Sequence, residues 1–389
     1  MSAIEGEPNT IVIGAGIIGL STAYFLSQSG NTKPESIHLI DSSAELFQCA
    51  SGFAGFAPSS ASLGSLSFKL HKDLADAHDG RGRWGYSQST GISLSQDTES
   101  AVGGSGEDWL ADGTSRAQAT KSDKSVSGKG PVWLKAKEGL EVISQEGTVA
   151  QIDPMRFCQW LLEKCKEKGV QLHHPARAIS VSRDADNQLN GIRISNDGTE
   201  SELSCTRLVI ASGAWTPRVF SALFPKSSTR IPISSLAGHS LLVRNHFHTQ
   251  DQADAEVCHA LFATDDIGFS PELFSRIGGE LYLAGLNSTM IPLPENASDV
   301  KVNPEAIEQM KKCAAEMIGA VDGKQMEVLR EALLGGGLRT RKDSEGGVFL
   351  AAGHGAWGIC LAPGTGQVLA ELIEGRSTSA NISALVLPS

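Results

Sequence analysis

The feature that most constrains this chain lies between Thr10 and Gly30, where a short apolar stretch runs into glycines at G-x-G-x-x-G spacing. After a strand, Gly14 allows a tight turn, Gly16 lets the backbone approach a pyrophosphate, and Gly19 lets the following helix pack closely on the strand. The spacing therefore predicts a buried strand, a glycine turn and a helix that ends near Gly30. A phosphate would sit on the N–H groups of the helix N-terminus.

Two other structures for this segment are disfavoured by its composition. A membrane-spanning helix needs about 20 uninterrupted apolar residues, and this run is shorter and carries glycines. A secretory signal needs a positive leader, but the residues before Ile11 include Glu5 and Glu7 and no lysine or arginine. Export and membrane insertion are therefore not expected.

An acidic residue at the end of a second predicted strand bears on whether the glycines form a nucleotide site or a chance turn. The stretch "SIHLID" ends in Asp41, which lies 22 residues beyond Gly19. At this distance an acidic side chain meets the ribose hydroxyls of an adenine dinucleotide. Asp41 could also be an ordinary turn residue. The order of strand, glycines, helix, strand and acid nevertheless favours dinucleotide binding.

The charge and the cysteine content disfavour several classes of partner. Lysine and arginine number 33 against 44 aspartate and glutamate, which gives a net charge of -11. This charge opposes binding to nucleic acid or to an anionic membrane surface. The seven cysteines, without C-x-x-C pairs, indicate free thiols in a reducing compartment, so a cytoplasmic location is expected. No spacing typical of metal ligands occurs, and no metal site is predicted.

The middle of the chain alternates between polar or glycine-rich stretches and ordered segments. Residues 49–67 are small and glycine-rich, which suits either close packing on a cofactor or a flexible loop. Residues 95–130 predict an exposed or partly disordered insertion. Asp153 and Pro154 begin a predicted helix with an apolar stripe that ends at Gly169.

Strand patterns and two more helices follow. Residues 177–215 alternate like strands joined by polar turns at 184–187 and 196–198. The segment "NPEAIEQMKKCAAEMIGA" predicts a helix. The tail repeats the opening pattern of strand, glycine-rich loop and helix, and ends near Gly375. The chain thus predicts a dinucleotide domain that closes on itself, with a second domain inserted in the middle.

Several ordered motifs resemble those of the D-amino-acid oxidase superfamily of flavoproteins, which includes glycine oxidase and sarcosine oxidase. The resemblance covers nearly the whole chain and rests on "VIGAGIIGLSTAYFL", "ASGFAG", "GTVAQIDPMRF", "LVIASGAWTP", "GGGLRTRKD" and "AAGHGAWGICLAPGTGQVLAELI". It implies an α/β (α+β) fold: a Rossmann-like FAD-binding domain of the glutathione-reductase type with an inserted mixed-sheet substrate domain. The FAD-binding domain would comprise residues 1–60, 150–216 and 335–389, and the discontinuous substrate-binding domain residues 61–149 and 217–334.

The resemblance implies FAD as the cofactor. The adenine half would lie on the glycine turn and Asp41, and the C-terminal loop would run past the pyrimidine edge of the flavin. The residues implied in cofactor binding are Gly14, Gly16, Ile17, Ile18, Gly19, Asp41, Ser42, Ser51, Gly52, Ala178, Ser212, Gly213, Ala214, Gly353, Ala356, Trp357, Gly358 and Ile359. Sarcosine oxidase-like proteins place a flavin-linking cysteine where "TRKDSEGG" has none, so FAD is expected to be non-covalent.

The resemblance also implies three residues on the substrate side of the flavin. Arg339 matches the family position whose guanidinium holds a substrate carboxylate, although a surface salt bridge is the alternative. His354 would act as a base or, as we favour, shape the loop. Trp357 would cover the substrate or simply pack against the protein. Glycine oxidase-like proteins carry a second arginine where this chain has Ala356, and sarcosine oxidase-like proteins carry a nearby lysine. Glycine- or sarcosine-like substrates held by two cations are therefore disfavoured.

Together these features predict an FAD-dependent oxidoreductase that oxidises the C–N bond of a small-molecule amine or amino acid by hydride transfer to flavin N5 and leaves an imine. One alternative is an NAD(P)-dependent dehydrogenase that uses the same glycine motif. Another is a flavoprotein with a binding or scaffolding role and a degraded active site. The substrate, the re-oxidant and the oligomeric state stay open.

Overall fold

A computed structural model of the chain describes residues 9–43, 46, 60–95, 130–135, 139–144, 147–244, 258–264, 270–318, 327–336, 339–342 and 347–386. The predicted cofactor residues Ser51 and Gly52 and nearly all of the predicted insertion, residues 96–129, lie outside the described residues. The described part contains a six-stranded sheet, an eight-stranded sheet and a three-stranded sheet, with helices packed on the larger two.

The helices, in chain order, are α1 (Ile17–Gln28), α2 (Ala61–Ala77), α3 (Gly80–Trp84), α4 (Pro154–Lys168), α5 (Thr216–Leu223), α6 (Pro304–Met317) and α7 (Gly358–Ile373). The strands are β1 (Thr10–Ile13), β2 (Ile37–Ile40), β3 (Ser87–Ser95), β4 (Leu140–Val142), β5 (Ala150–Gln151), β6 (Gln171–His173), β7 (Arg177–Arg183), β8 (Leu189–Asn196), β9 (Thr199–Ser204), β10 (Arg207–Ile210), β11 (Leu236–Arg244), β12 (Cys258–Thr264), β13 (Glu272–Arg276), β14 (Glu280–Ser288), β15 (Glu327–Gly336), β16 (Arg339–Lys342) and β17 (Val348–Ala352).

The six-stranded sheet has the order β16-β17-β10-β1-β2-β6, and all neighbours are parallel except β16 and β17. Its central strands are almost entirely apolar and buried, as expected for a parallel sheet covered on both faces. The chain leaves β1 toward β2 on one side and reaches β10 on the other side much later. The direction of strand addition therefore reverses at β1, the position where open α/β sheets bind ligands.

Helices α1, α4 and α7 cover one face of this sheet, and α2 and α3 pack on α7 and α4. Of the two alternatives for residues 49–67, the flexible loop is wrong from Ala61 onward, because these residues begin α2. The short side chains of this segment let α2 pack closely on α7. At Ser67 the two helices are so close that a Cβ on Gly364 of α7 would lie 2.8 Å from the Cβ of Ser67. Residues 61–84, which the sequence predicted in the inserted domain, thus pack against helices of the first sheet.

The other face of the six-stranded sheet is covered by the antiparallel sheet β7-β8-β9 and by α5. Its two hairpin turns fall where the polar segments predict them, and the left-handed residues are Asn187, Asp197 and Gly198. Short polar side chains and glycine tolerate this backbone conformation. The hairpin predictions are confirmed.

The second large sheet has the order β15-β11-β14-β13-β12-β3-β4, with β5 paired to β3. Its pairs are antiparallel except β3 and β12, and α6 covers one face. The guanidinium Nη1 of Arg276 on β13 lies 3.4 Å from the Oδ2 atom of Asp153, which caps α4. This ion pair connects the second sheet to the helices of the first.

The helices predicted from capping and periodicity are also confirmed. The carboxylate of Asp153 accepts from the N–H of Arg156 at 3.0 Å, and α4 ends at Gly169 with a φ of 105°. The first helix ends at Gln28, two residues before Gly30. Across the described ranges, no helix combines the length and apolarity required to cross a membrane.

Candidate FAD and substrate site

The candidate site lies at the carboxyl ends of the parallel strands of the first sheet. Gly14 follows β1, Asp41 follows β2, Ser212 follows β10 and Gly353 follows β17. The carboxyl ends of parallel strands share one edge of a sheet, and a ligand crevice forms where the strand order reverses. The structure thus brings together predicted cofactor residues that are more than 300 positions apart in the sequence.

The glycine turn between β1 and α1 is closed on its inner side and open on its outer side. A Cβ on Gly14, which has a φ of 105°, would lie 2.4 Å from the carbonyl oxygen of Ala211, and one on Gly19 would lie 1.9 Å from the carbonyl oxygen of Gly14. A Cβ on Gly16 would meet no atom within 4 Å, and Gly16 is exposed. Only the middle glycine therefore faces free space, as the pyrophosphate reading requires.

The first turn of α1 continues this surface. Ile17 is half-buried beside Gly16, and Ile18 is buried in the apolar core with α4. No acidic side chain lies in this first turn. The helix N-terminus thus presents N–H groups next to the open side of Gly16, and its own first turn contributes no carboxylate.

Asp41 supports the glycine turn directly. Its Oδ2 atom accepts from the N–H of Ala15 at 2.8 Å, and its Oδ1 atom accepts from the N–H of Ser43 at 2.9 Å. Each carboxylate oxygen can accept a second hydrogen bond, so these contacts leave room for a ribose hydroxyl. Ser42, which lies between Asp41 and Ser43 in the chain, is exposed. The sequence did not predict that Asp41 also fixes the position of the glycine turn.

Two further segments line the same edge. The N–H of Ala176 bonds to the carbonyl of Asp41 at 2.7 Å, which places the start of β7 and Ala178 beside the end of β2. After β10, Gly213 is exposed with a φ of 52°, and a Cβ there would meet no atom within 4 Å. Ser212 bonds through Oγ to the carbonyl of Ile13 at 3.3 Å.

Ala214, next to Gly213, is buried in a short 3-10 turn. The loops after β1 and β10 therefore lie side by side and expose one glycine each.

The loop after β17 leads into α7 through a 3-10 turn at Gly355–Trp357. His354 is buried, and its Nε2 atom lies 3.1 Å from Oγ1 of Thr365. Burial lowers the pKa of His354 to about 4, so the ring is neutral near pH 7. Trp357 is 8% exposed and packs with Leu63 and Leu361. Both side chains thus have packing or hydrogen-bonding partners inside the protein.

The ends of this loop are closely packed. Gly353 has a φ of 90° and is buried, and Ile359 is buried in the first turn of α7. Ala356 lies in the 3-10 turn and Gly358 is half-buried at the start of the helix. The glycines allow the chain to turn sharply from the strand into the helix.

The backbone of Arg339 lies at the start of β16, in register with Ala352 on β17. Ala352 is the last residue before Gly353, so the arginine position is adjacent to the loop that leads into α7. The structure brings Arg339 and the glycine-rich loop together at the level of the main chain.

Two residues near this loop were not predicted from the sequence. Ser67 and His71 on α2 are buried and form hydrogen bonds to the first turn of α7. Ser67 bonds to Cys360, 293 residues further along the chain, and His71 bonds to Ile359, 288 residues further along. Pro363 inside "GICLAPGTGQ" was the one available signal, since a proline in a helix leaves a carbonyl that needs another donor.

The fold and this site define a protein of the dinucleotide-binding class, with a parallel sheet and a second, mixed sheet. Solved structures share the fold: glycine oxidase from Bacillus cereus has a TM-score of 0.71 at 17% identity over 98% of this chain and 99% of its own. L-Proline dehydrogenase from P. horikoshii has a TM-score of 0.68 at 16% identity over 95% of this chain and 94% of its own. The Schizosaccharomyces pombe protein C1F5.03c, whose name assigns it to the oxidoreductases by inference, is 29% identical over 411 aligned residues, 98% of each protein.

Residues 9–372 match the family described as FAD dependent oxidoreductase (DAO), and the chain belongs to this family. It is therefore an FAD-dependent enzyme, as the sequence predicts, and the nicotinamide alternative is not supported. The open side of Gly16, the N-terminus of α1 and Asp41 at one sheet edge fit an adenine dinucleotide.

Proposed function

We propose that this protein oxidises the C–N bond of a small amine or amino acid and leaves an imine that hydrolyses. The observation that carries the proposal is the meeting of the glycine turn, the first turn of α7 and the main chain of Arg339 at one edge of the first sheet. The glycine turn and the helix turn suit a flavin dinucleotide, and an arginine at this position suits a substrate carboxylate next to the flavin.

The residues for the cofactor follow from the strand ends. Gly14 and Gly19 would keep the turn tight, Gly16 would leave room for the pyrophosphate, Asp41 would accept from the ribose, and residues 212–214 and 353–359 would border the ring system. When bound, the flavin accepts a hydride at N5, and negative charge accumulates at N1 and O2. The first turn of α7 would stabilise this charge, because a helix N-terminus carries about half a positive charge. We propose that FAD is held without a covalent bond.

Arg339 would hold the substrate carboxylate. Its planar fork of donors matches a carboxylate, and Ala356 replaces the second cation of glycine oxidase-like proteins. This guanidinium would then be the main electrostatic anchor. If the substrate amine binds in its neutral form, no strong protein base is needed, which agrees with the neutral, hydrogen-bonded state of His354.

The proposal is tested by anaerobic reduction of the FAD-loaded protein with a panel of amines and amino acids. For a substrate that bleaches the flavin, Arg339→Ala should weaken binding about 10- to 100-fold, because a hydrogen bond to a charged group contributes roughly 1.5 to 3 kcal/mol. Arg339→Lys should recover part of the affinity, since it keeps the charge without the fork. Lys342→Ala removes a cation from the same strand and serves as the matched control.

Three results would change the proposal. Equal affinity in wild type and Arg339→Ala, with FAD bound in both, would refute the carboxylate anchor and indicate an uncharged amine. Flavin that no amine reduces would favour a binding or scaffolding role instead. Yellow colour that stays with the acid-precipitated protein would show a covalent link to the flavin.

A further inference from the structure

Two side chains of α2 form hydrogen bonds to backbone groups of α7 on either side of Pro363. Pro363 lies inside α7 and has no N–H. In an α-helix the N–H of residue 363 would bond to the carbonyl of Ile359. That carbonyl therefore lacks its α-helical donor. The Nε2 atom of His71 lies 2.8 Å from the carbonyl oxygen of Ile359 and supplies the missing donor.

The chemistry of this contact fixes the state of His71. A carbonyl oxygen only accepts, so Nε2 carries a proton and donates it. Burial lowers the pKa of His71 to about 4, so the ring is neutral near pH 7 and Nδ1 carries no proton. Nδ1 is buried and has no hydrogen-bond partner among the described residues. Among the described residues, the hydrogen bond to Ile359 is thus the one polar contact of the buried His71 ring.

The next hydrogen bond of α7 is bridged by a hydroxyl group. The Oγ atom of Ser67 donates to the carbonyl of Cys360 at 2.6 Å and accepts from the N–H of Gly364 at 3.0 Å. An uninterrupted α-helix would join these two backbone groups directly. Ser67 is fully buried, and Gly364 has no side chain that would hold α2 away. Two successive carbonyls next to Pro363 are therefore bonded to α2.

We propose that Ser67 and His71 are positioning residues that hold the first turn of α7, residues 358–361, at the angle that stabilises reduced flavin, and so set the reduction potential of bound FAD. The inference rests on the proposed placement of this turn at the flavin. A proline and an inserted side chain are known causes of helix bending, so the direction of the turn depends on α2. A turn released from α2 would point its N–H groups less directly at the negative charge.

The test is the midpoint potential of FAD in the full-length holoprotein, measured by equilibration with a dye of known potential. Ser67→Ala removes the bridge, and His71→Phe removes the donor with a ring of similar size. In each variant the equilibrium constant for two-electron reduction of FAD should fall about 10-fold. For a two-electron couple this corresponds to a midpoint potential about 30 mV more negative. His71→Gln, whose amide N–H can donate, should recover part of the shift.

Two further variants distinguish positioning from loss of stability. Ser27→Ala removes a buried hydroxyl that bonds to the carbonyl of Tyr24 within α1 at 2.7 Å, and it should leave the potential unchanged. Pro363→Ala gives the carbonyl of Ile359 a backbone donor, so His71→Phe should shift the potential less in that background than in wild type. This comparison decides the proposal even if Ser67→Ala does not fold.

Unchanged potentials in Ser67→Ala and His71→Phe, with FAD bound, would overturn the inference, and so would an equal shift in Ser27→Ala. An equal effect of His71→Phe with and without Pro363→Ala would also overturn it. A wild-type protein that binds FAD but is reduced by no amine would refute the proposed reaction and leave this inference standing. A wild-type protein that binds no FAD would refute both.

Discussion

Replacing the glycines of the first loop one at a time should separate FAD binding from folding. Gly16 and Gly19 belong to the same motif, but their surroundings differ. Alanine at Gly19 should unfold the protein locally, and alanine at Gly16 should leave the apoprotein intact while it weakens FAD binding.

The expected cost at Gly19 follows from the geometry. A Cβ there would lie 1.9 Å from the carbonyl oxygen of Gly14 and 3.2 Å from a side-chain carbon of Val12. The first of these is a backbone atom of the tight turn, so α1 must move away from β1. Overpacking of this kind costs about 1–3 kcal/mol and occasionally more, and the very short contact places Gly19→Ala at about 3 kcal/mol or above.

At Gly16 two small effects nearly cancel. Its φ of -76° and ψ of -177° suit any residue, and a Cβ meets no protein atom within 4 Å. Alanine is a poorer N-cap than glycine, but it lowers the entropy of the unfolded chain by about 0.4–1 kcal/mol. The free energy of unfolding of the apoprotein should therefore change by less than about 1 kcal/mol. FAD affinity should fall about 10- to 100-fold in Gly16→Ala and further in Gly16→Val.

The assay has two parts. Urea unfolding of the apoproteins, followed by circular dichroism, gives the change in stability, and quenching of flavin fluorescence on titration gives the FAD affinity. Wild-type affinity in Gly16→Val would refute the placement of the pyrophosphate. A Gly16→Ala apoprotein as unstable as Gly19→Ala would show that Gly16 has a structural role instead.

Two further predictions concern stability. Burial lowers the pKa of His71 and His354 to about 4, so below about pH 6.5 the unfolded chain binds more protons than the folded one. The free energy of unfolding should therefore decrease as the pH is lowered, by about 2 kcal/mol per histidine at pH 5. Urea titrations at pH 5 and 7.5 measure this fall, and His71→Gln should reduce it; a fall of the same size in that variant would contradict the assignment. Asp153→Asn should cost about 1 kcal/mol by removing the ion pair with Arg276, and Asp153→Ala about 2 kcal/mol by also removing the cap of α4. A double-mutant cycle with Arg276→Met isolates the ion pair, and zero coupling would contradict its role.

The local elements of this fold could be predicted because each is encoded by neighbouring residues. The cap and the left-handed Gly169 set the limits of α4, and Asn187 and Asp197 mark the hairpin turns. The glycine turn could be predicted for the same reason: its three glycines act within one strand, one turn and one helix. The motifs along the chain then identified the family, because their order and spacing are specific.

The helix α2 could not be predicted from its own residues. Its first turns contain serines and a glycine, which have poor helix propensity, so local composition indicated a flexible loop or close packing on a cofactor, and no helix. In the structure this segment packs on α7, and packing rather than propensity stabilises most helices in proteins. The partner helix lies almost 300 residues further along the chain.

The sequence by itself therefore determined the parts of the site that depend on spacing: the glycine turn, the acid after the second strand and the glycine-rich tail. Only the tertiary structure decided how these parts are held. Asp41 bonds to the backbone of Ala15, His354 turns inward to Thr365, and α2 supplies the hydrogen bond that Pro363 removes from α7. Local patterns record the conformational preference of a few adjacent residues, whereas these bonds form between groups that meet only when the helices pack on the completed sheet.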